Sequence, residues 1–269
     1  METNDDNADY KLYPILRDPD EQIYKPVGDK MLKPPFVYGL IGTRFVGKTT
    51  ALMGMVMRDY PFYLNAFDRI ILISPTLKFD SSTRKLVEYI GEENAFDVYD
   101  DSIISALIEH NKSLPKDLRE KILVIADDIP AMNVPMNSLL YTTLPCAGRH
   151  SGISTIYITQ ILRGNNVGLP PSTRNNLEGL LIFRNSNQKQ LNNIYEELGH
   201  FGSPANIEAM YKEVVSGKPY QFLYFDSRKL KVYRNFDEEL WSMYDDNGNY
   251  NQEFHKNKKK EKENNLLDL

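Results

Sequence analysis

Eight residues, Gly42-Thr43-Arg44-Phe45-Val46-Gly47-Lys48-Thr49, match the spacing G-x-x-x-x-G-K-[ST]. The glycines let the backbone curl until successive N–H groups converge on one point, which suits a phosphate. Lys48 adds a positive charge for β- and γ-phosphate oxygens, and the hydroxyl of Thr49, followed by Thr50, can ligate a divalent cation. These residue types together point to capture of a nucleoside triphosphate, with ATP and Mg²⁺ as the expected pair.

A phosphate loop of this kind needs a second anchor for its metal. Lys121-Ile122-Leu123-Val124-Ile125-Ala126-Asp127-Asp128 supplies an apolar run that ends in two adjacent acids. Asp127 would hold Mg²⁺, directly or through water, and Asp128 would polarise an attacking water as general base. Standing alone, the two acids would read equally well as the opening of a solvated loop. A third polar group ends the run Ile153-Ser154-Thr155-Ile156-Tyr157-Ile158-Thr159-Gln160, where Gln160 could face a γ-phosphate or simply cap a loop. Arg149, Arg163, Arg174 and Arg184 all follow the paired acids. Phosphoryl transfer gains from an arginine set against the developing charge, and Arg174, after a long loop, suits that place.

The positioning elements follow from hydrophobic patterning. Residues 36–41, 70–74, 122–126, 153–159 and 179–183 are short apolar runs without alternation, as expected of strands covered on both faces. Helical patterns fill the gaps at 48–58, 81–90, 102–111 and 137–144, with two more at 189–198 and 204–215. Residues 221–225 and 231–233 flank Asp226-Ser227-Arg228 and read as a hairpin. Strands alternating with helices predict an α/β fold with a central, mostly parallel sheet flanked by helices. The loop then opens a helix directly after the first strand, as a phosphate loop requires.

The composition is that of a globular protein, with 41% apolar and 26% charged residues among 269. A net charge of −5 argues against coating nucleic acid through the overall field and leaves a local basic surface open. Seven acidic and two basic residues fall in the first 24. We therefore read an acidic, mobile arm over 1–30, one domain over 31–250, and a disordered lysine-rich tail over 251–269 that carries Lys256, Lys258, Lys259, Lys260 and Lys262. No stretch reaches the ~18 apolar residues of a membrane span, and no secretory signal opens the chain, so export is not expected. The single cysteine, Cys146, cannot form an internal disulfide; it is expected to be a buried apolar filler in a reducing compartment.

The order of these motifs carries a resemblance. A phosphate loop and an Asp-Asp pair come first, then Arg149-His150 before the strand that ends in Gln160, then Leu169-Pro170 and Arg174-Asn175 before another apolar strand. This resembles the poxvirus-type DNA-packaging ATPases of large DNA viruses, a branch of the FtsK/HerA superfamily of P-loop motors, over roughly residues 34–185. The resemblance implies an additional-strand P-loop fold, with a further strand between those bearing the phosphate loop and the paired acids. It implies ATP hydrolysis coupled to translocation of double-stranded DNA by a homo-oligomeric ring of five or six subunits, which works with a capsid or portal protein. The setting it implies is the host cytoplasm at the site of viral assembly, and the virion. Carried onto this chain, it makes Gln160 the γ-phosphate sensor and Arg174 the arginine finger. Members commonly have glutamate where this chain has Asp128, and a small residue where it has Val46. Two other readings share the phosphate loop: a small-molecule kinase, and an assembly protein that uses ATP as a switch with little turnover.

Overall fold

In this computed structural model residues 24–77, 81–164, 167–245 and 247–251 are described. Most of the acidic arm and of the lysine-rich tail lie outside them. The strands are β1 (Val37–Ile41), β2 (Arg69–Ile73), β3 (Ala95–Phe96), β4 (Ile122–Asp127), β5 (Ile153–Thr159), β6 (Gly179–Phe183), β7 (Phe222–Asp226), β8 (Lys231–Arg234) and β9 (Glu238–Ser242). Between them run α1 (Lys48–Met57), α2 (Ser81–Ile90), α3 (Asp101–Ser113), α4 (Leu139–Ala147), α5 (Pro171–Arg174), α6 (Gln188–Glu197) and α7 (Pro204–Val215).

All nine strands join one sheet in the order β3-β2-β4-β5-β1-β6-β7-β8-β9. The first six in that order are parallel, and β7, β8 and β9 add an antiparallel edge. The protein is thus an α/β P-loop NTPase in fold, with β5 inserted between β1 and β4.

Every residue of β1, β5 and β6 is buried, because helices cover both faces of the sheet. Alternation along each strand divides these residues between two cores. Val37 and Ile41 of β1 join Val124 and Ala126 of β4 on the face covered by α3, α4, α6 and α7. Tyr38 and Leu40 join Leu123 and Ile125 on the face covered by α1 and α2. Each such Val, Leu or Ile side chain contributes roughly 1.5–3 kcal/mol by leaving water, so burial on both faces holds the sheet centre together.

Packing begins within the segment read as a mobile arm, before residue 31. Val27, Met31 and Leu32 are buried in the second core, and Gly28 donates its N–H to the Pro61 carbonyl at 2.9 Å. These apolar residues fill the floor beside Phe36 and Tyr63, so residues 24–33 are docked.

Cys146 is exposed, contrary to the expectation of a buried filler. In α4 the buried positions are Leu140, Tyr141, Leu144 and Pro145, and that helical stripe turns the next residue outward. No helix among the described residues is long and apolar enough to cross a membrane.

Candidate functional site

Strand β1 delivers the chain to the carboxyl edge of the sheet, and the loop that follows is fastened on both sides. Gly42 donates its N–H to the carbonyl of Thr159 on β5 at 3.2 Å. The N–H and hydroxyl of Thr43 both reach the carbonyl of Arg184, just past β6, at 3.3 and 3.2 Å. A Cβ on Gly42 would stand 2.7 Å from that of Phe183, so only glycine lets the loop leave the strand this close to β6. Phe45 and Gly47 adopt the left-handed region, at φ 62° and 99°, which turns the loop back over itself. Phe45 is 96% exposed at the apex.

Lys48 opens α1. The helix start has no side-chain cap and no acidic residue in its first turn, so its N–H groups and their partial positive charge are left for a ligand. The Lys48 ammonium donates to the carbonyls of Gly42 at 2.8 Å and Thr43 at 2.6 Å, which holds the side chain along the loop. Burial pulls its pKa below the usual lysine value, Asp127 and Asp128 push it back up, and Arg44 lowers it again. Lys48 therefore sits in the field of both acids. Thr49 is half-buried on the first helical turn, while Thr50 and Arg44 are exposed.

Asp127 ends β4, opposite Ile158 of β5. The fully buried Ser74, just past β2, donates its hydroxyl to Asp127 Oδ2 at 3.3 Å. Asp128 adopts φ 47°, and its N–H is held by the carbonyl of Ile158 at 2.9 Å. That left-handed step turns the chain out of the strand at the point where the second carboxylate is presented. Gln160 follows β5, whose last residue, Thr159, is in register with Ile41 of β1. The half-buried Gln160 thus emerges between the phosphate loop and the paired acids.

These residues fit Mg²⁺. The Thr49 hydroxyl and the Asp127 carboxylate are hard oxygen donors at adjoining ends of the site. Among the described residues no cluster of three or more His, Cys, Asp and Glu could hold a metal.

The arginines divide by position. Arg163 and Arg184 lie beyond the carboxyl ends of β5 and β6 and are exposed. Arg184 is drawn toward α7 by the Val215 carbonyl at 2.7 Å. Arg149 and the segment after Arg174 line a cavity of about 340 Å³ with Pro35, Phe36 and Val37, at the amino ends of the strands. Arg174 itself has a side chain only 12% exposed. It donates to Glu197 Oε1 at 2.9 Å and to the carbonyl of Leu169 at 2.6 Å. Within this chain Arg174 does not join the phosphate loop.

Two contributors escape a reading of the sequence. Ser74 orients Asp127, and its only signal is a hydroxyl residue at the end of an apolar run. Tyr220 packs against Gly47, with its Cβ and Cδ1 3.2 Å from where a Cβ there would stand.

No family model matches the chain. It is 29% identical over 133 residues to the uncharacterised protein 075L of Invertebrate iridescent virus 6. The match takes in 49% of this chain and 50% of that protein, so the chain spans about half the length of its curated relative. Among solved structures, it is similar to the DNA-packaging ATPase B204 of Sulfolobus turreted icosahedral virus, at 18% identity and a TM-score of 0.52. That likeness covers 76% of this chain and 98% of the other. It is equally similar to the genome packaging NTPase B204 of Sulfolobus turreted icosahedral virus 2 in complex with ATP-gammaS, at 18% identity, 76% and 98% coverage and a TM-score of 0.51. At such identities the likeness is one of fold.

Proposed function

We propose that this chain is an ATP-hydrolysing motor that translocates double-stranded DNA and packages a viral genome into its capsid. The observation that carries the reading is the placement of β5 between the phosphate-loop strand and the strand of paired acids, which delivers Gln160 between Lys48 and Asp127/Asp128. ATP would lie with its phosphates under the loop N–H groups and its β- and γ-oxygens neutralised by Lys48. Mg²⁺ would be held by Thr49 and, directly or through water, by Asp127, and would supply charge neutralisation at the phosphates. Asp128 would take the proton of the attacking water, and Gln160 would contact the γ-phosphate and transmit its presence through β5. Similarity in fold to two viral packaging NTPases, and in sequence to a protein of an invertebrate virus, supports a viral packaging role for this site.

A motor of this kind works as a ring of five or six copies seated on a capsid or portal protein, in the host cytoplasm where particles assemble and in the particle itself. Because the chain is acidic overall, its contact with DNA is local, and the coupling should weaken as salt screens it. The test is ATP turnover by the full chain with and without double-stranded DNA, with mass followed by light scattering in the same buffers. Turnover that DNA raises in a species of five or six subunits supports the motor. A monomer whose turnover ignores DNA and that phosphorylates an added acceptor would overturn it in favour of a kinase. Tight ATP binding with no turnover would make the protein a nucleotide-gated switch.

A further inference from the structure

We propose that Tyr220 is the platform for the nucleobase, so that the loop between α7 and β7 completes the nucleotide site with an aromatic wall. This rests on the reading of the phosphate loop above.

A nucleoside triphosphate has two ends, and the sheet order assigns them to different flanks. Asp127, Asp128 and Gln160 stand on the β4 and β5 side of β1, which fixes the γ-phosphate there. The α-phosphate, ribose and base must then leave on the other side, over β6 and β7. The loop at 216–221 lies on that side, because β7 is antiparallel to β6 and Phe222 pairs with Phe183 at the carboxyl edge.

Tyr220 is the aromatic residue of that loop, and its placement does not serve the core. The residue is 69% exposed, yet its Cβ, Cγ and Cδ1 atoms stand 3.2–3.5 Å from where a Cβ on Gly47 would be. The ring is thus laid against the glycine that precedes Lys48, with most of its surface in water. The backbone carries a cost for this, since Tyr220 adopts φ 66°, a region that bulky residues seldom occupy. An exposed aromatic held in a disfavoured conformation beside a phosphate site is accounted for by a flat apolar ligand surface, and a purine is that surface. Stacking discriminates little among bases, so the wall should serve adenine and guanine alike.

The test measures binding of ATPγS, GTPγS and inorganic tripolyphosphate, each with Mg²⁺, to the full chain by calorimetry. Tyr220→Asn removes the ring while keeping a residue that tolerates the left-handed backbone, and Tyr220→Phe keeps the ring. Tyr220→Asn should weaken ATPγS and GTPγS by roughly 5- to 150-fold, the range of a lost base–aromatic stack. Tripolyphosphate, which has no base, should bind within about twofold of wild type, and Tyr220→Phe should match wild type for all three probes. Unchanged ATPγS affinity in Tyr220→Asn overturns the proposal. Equal losses for tripolyphosphate and ATPγS also overturn it, because the tyrosine would then be shaping the phosphate loop. Failure of the phosphate-loop reading is recognised separately, as wild-type protein that binds neither ATPγS nor tripolyphosphate.

Discussion

At the scale of single residues, the site separates binding from chemistry. Lys48 is held by two loop carbonyls and lies in the field of two carboxylates. Lys48→Ala should therefore abolish turnover, with ATP affinity lost in a binding titration. Asp128→Asn keeps the size and the left-handed turn but removes the carboxylate proposed as the base, so ATP binding should persist while hydrolysis falls by roughly 10²–10⁴-fold. Full-rate hydrolysis in that variant would place the base elsewhere. Ser74→Ala tests the support behind the metal: without the hydroxyl at 3.3 Å, Asp127 loses its orienter. The Mg²⁺ concentration for half-maximal turnover should then rise by about tenfold, with little change in the maximal rate. The loop and the paired acids were legible in the sequence because their chemistry lies in consecutive residues. Ser74 and Tyr220 were not, because each meets its partner, Asp127 or Gly47, only through the sheet order.

The elements were legible where burial on both faces forces continuous apolar runs. The predicted strands over 153–159 and 179–183 and the helices over 81–90 and 204–215 stand at the expected bounds, and β1, β2 and β4 differ by no more than one residue at either end. What escaped has little pattern to show. Strand β3 has two residues, α5 is a single turn, and β9 is an edge strand whose exposed Glu238 and Glu239 read as polar loop. The β7–β8 hairpin was expected, but its internal electrostatics were not. Asp226 ends β7 fully buried, its Oδ1 accepting the N–H groups of Arg228 at 3.0 Å and Lys229 at 2.9 Å, and its Oδ2 without a hydrogen-bond partner. Burial raises its pKa above the usual carboxylate value, against the pull of those N–H groups and of nearby Lys229 and Arg228. Since the folded pKa is raised, the stabilisation from protonated Asp226 is complete below the unfolded value of ~3.9 and is lost as pH rises through the folded one. Asp226→Asn keeps an acceptor for both N–H groups and cannot ionise. The variant should gain on wild type as pH rises, by on the order of 1–3 kcal/mol between pH 4 and pH 8, as read from denaturant midpoints at both values. A difference that does not change with pH would show that Asp226 has the same pKa in the folded and unfolded chain.

For the whole molecule the question is which arginine completes the site, and topology bears on it. Because β5 and β6 both run parallel to β1, the chain between them must return to the amino edge before β6 begins. A residue five positions ahead of Gly179 therefore lies away from the phosphate loop of its own chain, which the long loop after Gln160 did not reveal. Arg174 is moreover committed to Glu197 and to the carbonyl of Leu169. Reaching a neighbour's γ-phosphate would mean leaving a largely buried pair, at a cost of roughly 1–3 kcal/mol. We therefore expect Arg174 to act as a strut between α5 and α6. Arg174→Ala should lower stability by a similar amount, which for a chain of this size moves Tm by about 2–4 °C per kcal/mol, while turnover per folded subunit stays near wild type. Mixing decides the matter. Lys48→Ala subunits cannot turn over ATP but keep Arg174, and Arg174→Ala subunits keep a complete phosphate loop. If Arg174 acts across the subunit boundary, Arg174→Ala protein is inactive alone and regains turnover when Lys48→Ala subunits are added to its rings. If it is a strut, turnover follows the number of Arg174→Ala subunits and adding the partner restores nothing. The finger would then be sought in Arg163 or Arg184, which are exposed where the carboxyl edge could meet a second copy.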